Sequence, residues 1–520
     1  MSKEFGDFQT PPDLVAAILE CLGATGKVWP RVLEPACGSG NFITGLLNLA
    51  EPPLEIQAIE VQDTYWSKLR RIAELSSSTR VAIAQGNVWD LELLGDLQWH
   101  TRGDLLVVGN PPWVTNSHLG AIGSNNLPHK TNLKSLKGID ALTGSSNFDI
   151  AEYIWLKLIR ELACVQPTIA LLCKTSVARN VLQFSSDKAL PITSASIRMI
   201  DAQKWFKVAV SACLFCVKIG SGKQSYEAAV YRNLQATEPE STIGISGGQL
   251  IADMKAYKRA AFADGVCPLT WRQGLKHDAA SVMELIYNKA GCLENKLGET
   301  VIVEPEYIYP LLKSSDLFHQ PHVKHQRAVI VTQKRLGEDT YQLQKTARQL
   351  WNYLTAHADI FERRKSSIYQ GRPPFSVFGI GDYSFAHYKV AISGLHKTPR
   401  FRAIKPVKGR PVMLDDTCYF IPLHSAEQAA FLTSLLNAPA CMDLIYSRLF
   451  ADAKRPITKK LLQRIDLKAL LNRVDKQLLL SQADVEFERL FSVEYQQKPA
   501  WPSSLEDFLV ESLSIAGLVL

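Results

Sequence analysis

The sequence predicts an α/β fold in which a doubly wound, mostly parallel sheet precedes a second domain of mixed α+β type. Over residues 1–220, short apolar runs alternate with amphipathic stretches. A glycine-rich turn follows one of these runs at residues 38–40, which is typical of nucleotide-binding sheets. Basic and aromatic residues concentrate at 361–410, beyond this pattern. With 520 residues, the chain has room for two or three domains.

The elements of the first domain are predicted in a regular order. Strands are expected at 31–34, 56–60, 81–84, 104–109, 168–173, 197–201 and 211–218. Helices are expected at 12–22, 63–75 and 150–164, with one more after the glycine-rich turn through Ile43 and Leu47. Because strands and helices alternate, most neighbouring strands are expected to be parallel.

The first motif, Glu34-Pro-Ala-Cys-Gly-Ser-Gly40, lies between the first predicted strand and the helix after it. Gly38 and Gly40 permit a tight turn that brings backbone N–H groups close to a ligand. The next apolar strand ends at Glu60, whose carboxylate is placed to bind ribose hydroxyls. Residues 41–43 provide no third glycine of the dinucleotide fingerprint, so the motif disfavours a hydride-transfer enzyme.

The second motif, Asp104-Leu-Leu-Val-Val-Gly-Asn-Pro-Pro-Trp113, ends a strand with a carboxamide, two prolines and an aromatic ring. The prolines fix φ and restrict the residue before each of them. The Asn110 side chain and the Pro111 carbonyl are therefore preset hydrogen-bond acceptors, and Trp113 adds a flat surface. This arrangement suits an exocyclic amino group on a planar ring. The alternative is a Pro-Pro turn after a core strand, with Trp113 merely packed.

Taken in order, Thr10-Pro11-Pro12, residues 34–40, Glu60 and residues 110–113 resemble the gamma class of amino-methylating DNA methyltransferases. These enzymes use S-adenosylmethionine and mostly methylate N6 of adenine. The matching motifs span residues 5–218, and the C-terminal remainder resembles, more loosely, the target-recognition regions of the class. The resemblance implies a Rossmann-like class I methyltransferase domain followed by a DNA target-recognition domain.

The resemblance assigns roles residue by residue. Thr10 and Pro11 match the motif at the methionine end of the cofactor, and Glu60 matches the acid that binds its ribose. The first cofactor loop is matched by Glu34, Ala36, Gly38 and Gly40. The catalytic motif is matched by Asn110, Pro111, Pro112 and Trp113, where most relatives have Tyr or Phe in the last position.

One position departs from the family pattern, and at another two residues are candidates for the same role. The Asp that binds the cofactor adenine in the family falls within Gln85-Gly-Asn-Val-Trp89, where Asn87 takes its place and Asp90 follows three residues later. An Asn carbonyl can accept the same hydrogen bond. The second aromatic residue, on the other face of the everted base, is expected at Phe206, with Trp205 as the competing candidate.

The resemblance implies methylation at N6 of an adenine that has left the stack of duplex DNA. Positioning and electrostatics would carry the transfer, so Cys37 is expected to be a small buried residue rather than a nucleophile. The alternatives are methylation of cytosine N4, of RNA or of a protein glutamine, and a non-catalytic DNA-binding protein. The large C-terminal domain disfavours a glutamine enzyme, and Asn110 stands where cytosine enzymes often have Ser.

Composition divides the chain into three parts. Residues 1–235 are predicted to form the catalytic domain, 236–248 a linker, and 249–520 the target-recognition domain, β-rich at about 300–420 and helical at about 424–520. Residues 115–147 are predicted to form a loop that closes over the base or contacts DNA, or else a solvated insertion. The segment Asn147-Phe148-Asp149 would end that loop beside the cofactor pocket.

A basic surface is predicted at 361–410, where eleven Lys and Arg residues accompany two acids, Glu362 and Asp382, among interleaved aromatics. The expected phosphate contacts are Arg363, Arg364, Lys365, Lys397, Arg400, Arg402, Lys405, Lys408 and Arg410. The alternative is the solvated face of a small β-domain. Asp415 and Asp416 form an acidic pair without a spaced third ligand, so no metal site is expected.

Ten scattered cysteines, a signal-free N-terminus and the absence of a bilayer-length apolar run predict a cytoplasmic protein without membrane contact. Cys213 and Cys216 would point to opposite faces of a strand, which favours buried thiols over zinc ligands. The net charge of +7 permits nucleic-acid binding.

Because the first motif begins at Thr10, we expect methylation without a fused nuclease. The resemblance implies double-stranded DNA and a separately encoded restriction endonuclease as partners. We expect the protein itself to be a monomer.

Overall fold

The computed structural model describes residues 8–114, 149–319 and 326–491, together with positions 499 and 501. The chain forms two compact units, Met1–Lys255 and Ala256–Leu520. The predicted loop at 115–147, including Asn147, and Phe148 beside it lie outside the described residues.

The first unit is built on a ten-stranded sheet. Its strands are β1 (Arg31–Glu34), β2 (Glu55–Glu60), β3 (Arg80–Gln85), β4 (Leu105–Gly109), β5 (Thr168–Lys174), β6 (Ile192–Ile200), β7 (Ala212–Ile219), β8 (Ala228–Tyr231), β9 (Ser241–Ser246) and β10 (Gln249–Ile251). Their spatial order is β10-β9-β8-β6-β7-β5-β4-β1-β2-β3. Strands β3, β2, β1, β4 and β5 are parallel, whereas β7 runs antiparallel to both β5 and β6. The predicted strand positions are confirmed, and the sheet is more mixed than predicted.

Helices of the first unit occupy the four predicted positions, and three more were not predicted. They are α1 (Pro12–Leu22), α2 (Asn41–Leu47), α3 (Trp66–Leu75), α4 (Ile150–Glu161), α5 (Thr175–Asp187) and α6 (Ala202–Phe206), with α7 (Met254–Ala260) at the unit boundary. Pro11 caps α1, which ends at a left-handed Gly23, and Asp149 caps α4 by accepting from the Ala151 N–H. Buried apolar side chains of α1 and α2 pack with those of β1 and β4 in one core cluster.

The linker predicted at 236–248 is wrong, because β9 and β10 lie there and extend the sheet. Strand β9 pairs antiparallel with both β8 and β10. Gly247 and Gly248, with φ of 55° and 69°, form the tight turn between β9 and β10. Ser, Thr and Gly suit an edge hairpin as well as a linker, so composition alone does not separate the two. The unit boundary falls after Lys255 instead.

The second unit contains two smaller sheets. One has the order β11-β19-β16-β17 and the other β13-β12-β15-β14-β18. The strands are β11 (Arg272–Gln273), β12 (Glu284–Tyr287), β13 (Leu293–Glu294), β14 (Ile308–Leu312), β15 (Arg327–Ile330), β16 (Tyr388–Ser393), β17 (Arg402–Ile404), β18 (Met413–Leu414) and β19 (Cys418–Leu423). Strands therefore begin near residue 272, earlier than the predicted β-rich boundary at about 300.

Helices of the second unit lie among the strands and after them. They are α8 (Ala280–Met283), α9 (Ser314–His319), α10 (Leu343–Thr346), α11 (Arg348–Ala356), α12 (Ala358–Glu362), α13 (Ala426–Leu436), α14 (Pro439–Arg448), α15 (Lys459–Leu462), α16 (Leu467–Leu471) and α17 (Lys476–Phe491). The helical region predicted from 424 is confirmed as far as α17. Among the described residues, no single helix is long and apolar enough to cross a membrane, although α13 and α14, bent by 60°, meet that criterion as a pair.

Candidate active site

A pocket of about 740 Å³ opens at the carboxyl ends of β1, β2 and β4. Ligands of doubly wound sheets bind at this edge. Of the residues predicted from the sequence, Thr10, Glu34, Ala36, Gly38, Glu60, Asn87, Asn110 and Pro112 line it. The motifs at the carboxyl ends of β1, β2 and β4 therefore meet at one cavity.

The glycine-rich turn is tied to the acid at the end of β2. The backbone N–H of Gly38 donates to Glu60 Oε2 and that of Gln62 to Glu60 Oε1, each at 2.7 Å. Gly38 has a φ of +51°, and a Cβ on it would lie 2.5 Å from the Gln9 side chain. The positive φ favours glycine here, whereas the Gln9 amide is the end of a flexible side chain that can move aside.

Gly40 has a different role from Gly38. It caps α2 with a φ of +79°, and a Cβ there would meet Leu69 Cδ2 at 2.9 Å rather than the pocket. Pro11, which was predicted to contact the cofactor, caps α1 and is likewise absent from the pocket lining among the described residues. Both positions shape the site from outside the cavity.

Glu34 is a buried carboxyl group in the pocket lining. Burial, and next the charge of Glu60, raise the pKa of Glu34 well above its ordinary value, while the Ile43 backbone N–H donates to it. Among the described residues, Glu34 Oε2 has no hydrogen-bond partner. The pocket therefore offers an unpaired acid that a cationic ligand would satisfy.

Cys37 does not provide a nucleophile. Burial and the neighbouring Glu34 and Glu60 raise the pKa of its thiol, which keeps it protonated. The expectation of a small buried residue in the cofactor loop agrees with its position in the core cluster.

Asn110 presents an unpaired acceptor at the end of β4. Its Nδ2 donates to the carbonyl oxygen of Phe8 at 2.8 Å. Because a carbonyl oxygen can only accept, the atom bound to Phe8 must be Nδ2. Oδ1 is therefore the end of the carboxamide that this bond leaves free. Oδ1 is buried and accepts no hydrogen bond from any described residue. A donor from a ligand would remove the free-energy penalty of this orphaned oxygen.

Three aromatic rings meet beside Asn110. The Trp113 and Phe206 centroids lie 5.2 Å apart with a 69° angle between planes, and Phe8 lies 5.8 Å from Trp113 and 6.1 Å from Phe206. Trp205 lies outside this cluster of rings, with Lys204 4.5 Å from its ring centroid. The structure thus brings Phe206, rather than Trp205, against Trp113.

Sequence reasoning missed Phe8, Gln9 and Lys174. Phe8 orients Asn110, and Gln9 Oε1 accepts from the Ser39 N–H in the cofactor loop. Lys174 donates to the Trp113 carbonyl at 3.0 Å. Phe8 and Gln9 directly precede the Thr10 motif, and that adjacency was the available signal. Asn87 lines the pocket, whereas Asp90 is exposed outside it.

The predicted basic surface of the second unit is only partly a surface. Arg364 donates to the carbonyls of His277 and Ser376, Arg402 to that of Leu317, and Arg410 to that of Ile308. These three arginines hold backbone segments of their own unit. The exposed members of the predicted set are Arg363, Lys365, Lys397, Arg400 and Lys408, and Lys405 is half-buried.

The acidic pair of the second unit is engaged in local contacts. Asp416 pairs with Arg455 at 3.0 Å, and Asp415 accepts from the backbone N–H of Thr417. No group of three potential metal-binding side chains occurs in the described part of the chain.

The residues of the pocket fit S-adenosylmethionine. The orphaned Glu34 oxygen suits the cationic end of the molecule. By their place in the motifs, Thr10 would contact the methionine end, the loop with Ala36 and Gly38 would approach the cofactor, and Glu60 and Asn87 would bind the ribose and the adenine.

Comparison with known proteins identifies relatives of the whole chain. The chain is 36% identical over 469 residues to the type II methyltransferase M.NspV of a Nostoc species, covering 89% of this chain and 96% of the relative. The structure of MmeI, a type IIL restriction-modification enzyme solved in complex with DNA, aligns with a TM-score of 0.54 at 12% identity, covering 99% of this chain and 76% of that one, and so shares its fold. No protein-family model matches the chain.

Identity at this level over nearly the full length of both chains establishes membership of a family. The protein belongs to the type II methyltransferases, the DNA methyltransferases of the restriction-modification type that take their methyl group from S-adenosylmethionine.

Proposed function

We propose that the protein methylates N6 of an adenine everted from duplex DNA. The observation that carries this proposal is Oδ1 of Asn110, which is buried and has no hydrogen-bond partner among the described residues while Nδ2 is bound to the Phe8 carbonyl. An exocyclic amino group has two N–H donors. Asn110 Oδ1 accepts one of them and the carbonyl of the adjacent Pro111 accepts the other.

These two acceptors make the amino nitrogen reactive. The lone pair of the adenine amino group is delocalised into the ring, so the nitrogen is a poor nucleophile. Hydrogen bonds to Asn110 and Pro111 draw both N–H groups out of the ring plane and localise the lone pair. S-adenosylmethionine supplies an electrophilic methyl group on a sulfonium centre. The protein contributes orientation and electrostatic stabilisation, without a covalent protein intermediate.

Trp113 and Phe206 form the walls that hold the everted base. A base between two parallel rings needs roughly 7 Å between the ring planes, because each stacked contact takes about 3.5 Å. The two rings now lie 5.2 Å apart between centroids with 69° between their planes, so they must both separate and turn towards parallel when the base enters. Eversion itself costs a few kcal/mol, which stacking on these rings offsets.

The second unit supplies contacts to the DNA backbone. The loop between β16 and β17 carries exposed Lys397 and Arg400, and its His396 stacks on Phe318 of α9 with centroids 4.0 Å apart. Exposed Lys and Arg residues on one surface are typical of proteins that bind nucleic acids, and here they lie beside the stacked rings of His396 and Phe318. We therefore assign phosphate contacts to Lys397 and Arg400 and exclude Arg364, Arg402 and Arg410.

The test is chemical identification of the product. Purified protein, S-adenosylmethionine and plasmid DNA are incubated, the DNA is digested to nucleosides, and the products are separated by mass spectrometry. We expect N6-methyldeoxyadenosine. A product of N4-methyldeoxycytidine alone, or methylation of RNA or protein but not DNA, would overturn the proposal.

The biological setting follows from the family. We propose that a separately encoded endonuclease of the cytoplasm recognises the same DNA site and that this protein protects it. The protein itself is expected to methylate without cutting. Reproducible cleavage of duplex DNA by the purified protein in the presence of Mg²⁺ would contradict that expectation.

A further inference from the structure

We propose that Lys174 is a positioning residue that sets the separation of Trp113 and Phe206. The inference rests on the proposed function, because it takes these two rings as the walls of the target-base site. Lys174 is the last residue of β5, and within the described part of the chain its Nζ bonds Trp113 and Asp149, neither of which we assign to the cofactor.

The Trp113 wall is held directly by the end of β5. Lys174 Nζ donates to the Trp113 carbonyl at 3.0 Å, and the Trp113 indole donates to the Leu172 carbonyl at 3.4 Å. The backbone and the ring of Trp113 are thus both bound to one strand end. Loss of the ammonium group would remove the hydrogen bond to the Trp113 carbonyl, so the backbone of Trp113 would be held less firmly.

Lys174 is itself fixed by a buried carboxylate. Its Nζ lies 2.7 Å from Asp149 Oδ2, and the Asp149 side chain is only 9% exposed. The other oxygen, Oδ1, accepts from the Ala151 N–H at the start of α4. In addition, the Ile150 N–H donates to the Val114 carbonyl, which anchors the residue after Trp113 to the same helix. The ammonium group therefore joins the catalytic segment to α4.

The same strand end also contacts the segment that follows Phe206. Lys174 pairs with Ala212, and the Thr175 N–H donates to the Ser211 carbonyl at 3.1 Å. Ser211 lies five residues after Phe206 in the chain. Residues 172–175 therefore bind Trp113 directly and Phe206 through the segment that follows it, so a shift at Lys174 is expected to change the gap between the rings.

Removing one partner of a buried ion pair leaves the other without compensation. In Lys174→Met, the Asp149 carboxylate would lose its cationic partner and would be stabilised only by becoming hydrated. The Trp113 carbonyl would lose the hydrogen bond that it accepts from Nζ. A displacement of about 1 Å at a reacting site lowers the rate by up to roughly 100-fold. Cofactor binding would persist, because the pocket lining does not include Lys174 among the described residues.

The experiment compares Lys174→Met, Lys174→Arg and Lys157→Met in the full-length protein. Lys157 is the control, because its side chain is also largely buried, at 9% exposed, and pairs with a partly exposed carboxylate, Glu161, on α4. Thermal midpoint, S-adenosylmethionine affinity, kcat and KM for DNA are measured for each variant. Fluorescence of 2-aminopurine at the target position reports how the everted base is held.

We expect Lys174→Met to lower kcat by roughly 10- to 100-fold and to alter the 2-aminopurine signal, with unchanged cofactor affinity. Lys174→Arg restores most of kcat, because it keeps a cationic donor. Lys157→Met leaves kcat and the fluorescence signal as in the wild type, whatever it does to the thermal midpoint. Asp149→Asn, which keeps an acceptor at α4, serves as the second variant if Lys174→Met does not fold, and a reduced kcat is again expected.

Equal kcat and fluorescence in Lys174→Met and wild type would overturn the inference. So would a loss of kcat in Lys157→Met as large as that in Lys174→Met, since the effect would then follow general stability. Failure of the proposed function is seen separately, in the wild-type nucleoside product. If the wild type methylates adenine and Lys174→Met has the same kcat and fluorescence, the role of Lys174 is refuted and the proposed function is not.

Discussion

The side chain of Asn110 is bound to the backbone of Phe8, 102 residues away in the chain, through a 2.8 Å hydrogen bond from Nδ2 to the carbonyl oxygen. The same bond leaves Oδ1 buried without a partner among the described residues. Phe8 also places its ring against Trp113 and Phe206. The segment before α1 therefore orients the Asn110 carboxamide and packs against both rings that we propose as walls of the base site.

Cofactor binding is expected to release a proton from Glu34. Burial and Glu60 raise the pKa of Glu34, so the empty pocket favours its neutral form. A cationic ligand favours the ionised form and lowers this pKa again. In the pH range between the two values, binding expels a proton, so affinity for S-adenosylmethionine rises as pH increases. Calorimetry in buffers of different ionisation enthalpy counts the protons.

Glu34→Gln is the control for this proton count. Gln cannot ionise, so the variant should show only the protons that the ligand itself exchanges. Equal proton counts for wild type and Glu34→Gln would show that Glu34 does not titrate on binding.

Phe206→Ala is expected to weaken binding of an everted base. Stacking of a base on an aromatic side chain contributes about 1–3 kcal/mol, which corresponds to roughly 5- to 150-fold in affinity. Affinity is measured on duplexes with a mismatched target base, because such a base leaves the stack more easily. Trp205→Ala is the comparison, since Trp205 stands next to Phe206 in the chain but outside the cluster of rings. A larger loss in Trp205→Ala than in Phe206→Ala would reverse the assignment.

Gly40→Ala is expected to destabilise the first unit by about 1–3 kcal/mol. The residue has a φ of +79°, and its new Cβ would lie 2.9 Å from Leu69 Cδ2. Gly247→Ala is a matched control, because Gly247 also has a positive φ but no atom within 4 Å of an added Cβ. Urea unfolding measures both. If the two variants lose the same stability, the contact with Leu69 does not contribute.

Neutralising Lys397 and Arg400 together is expected to flatten the salt dependence of DNA binding. Each lost phosphate contact reduces the slope of log K against log salt by about 0.9. The double change to Gln should therefore lower the slope by about 2. The control is the double variant of Arg335→Gln and Lys276→Gln. It also removes two positive charges, but these form ion pairs with Asp382 and Asp278. An unchanged slope in the first double variant would place the phosphate contacts elsewhere.

Local patterns in the sequence predicted most of the first unit. Apolar runs located β1 to β7, including β3 and β6, which are only partly buried, and the motifs at strand ends identified Glu34, Glu60 and Asn110. Strands β9 and β10 were misread as a linker, since an edge hairpin with one exposed face carries the same polar residues and glycines as a linker.

Contacts between distant residues were not predictable from local patterns. Phe8 and Lys174 reach Asn110 and Trp113 only after the sheet forms, because the order of strands places β5 beside β4. Arg364 is similar: its charge predicted a surface contact, whereas the folded chain surrounds it with the carbonyls of His277 and Ser376. A count of charges does not reveal which of them the fold uses internally.

The single-turnover rate of Asn110→Ala tests the central claim most directly. The enzyme is saturated with S-adenosylmethionine and DNA, and methyl transfer is followed from the moment of mixing. Asn41→Ala is the control, because Asn41 also lines the pocket and donates to a backbone carbonyl, that of Thr10, but it is the first residue of α2, directly after the cofactor loop.

We predict a fall of roughly 100- to 1,000-fold for Asn110→Ala at unchanged cofactor affinity, as for loss of one preorganised group at a reacting centre. Asn41→Ala should affect cofactor affinity and leave the saturated rate close to that of the wild type. A wild-type transfer rate in Asn110→Ala would contradict the account.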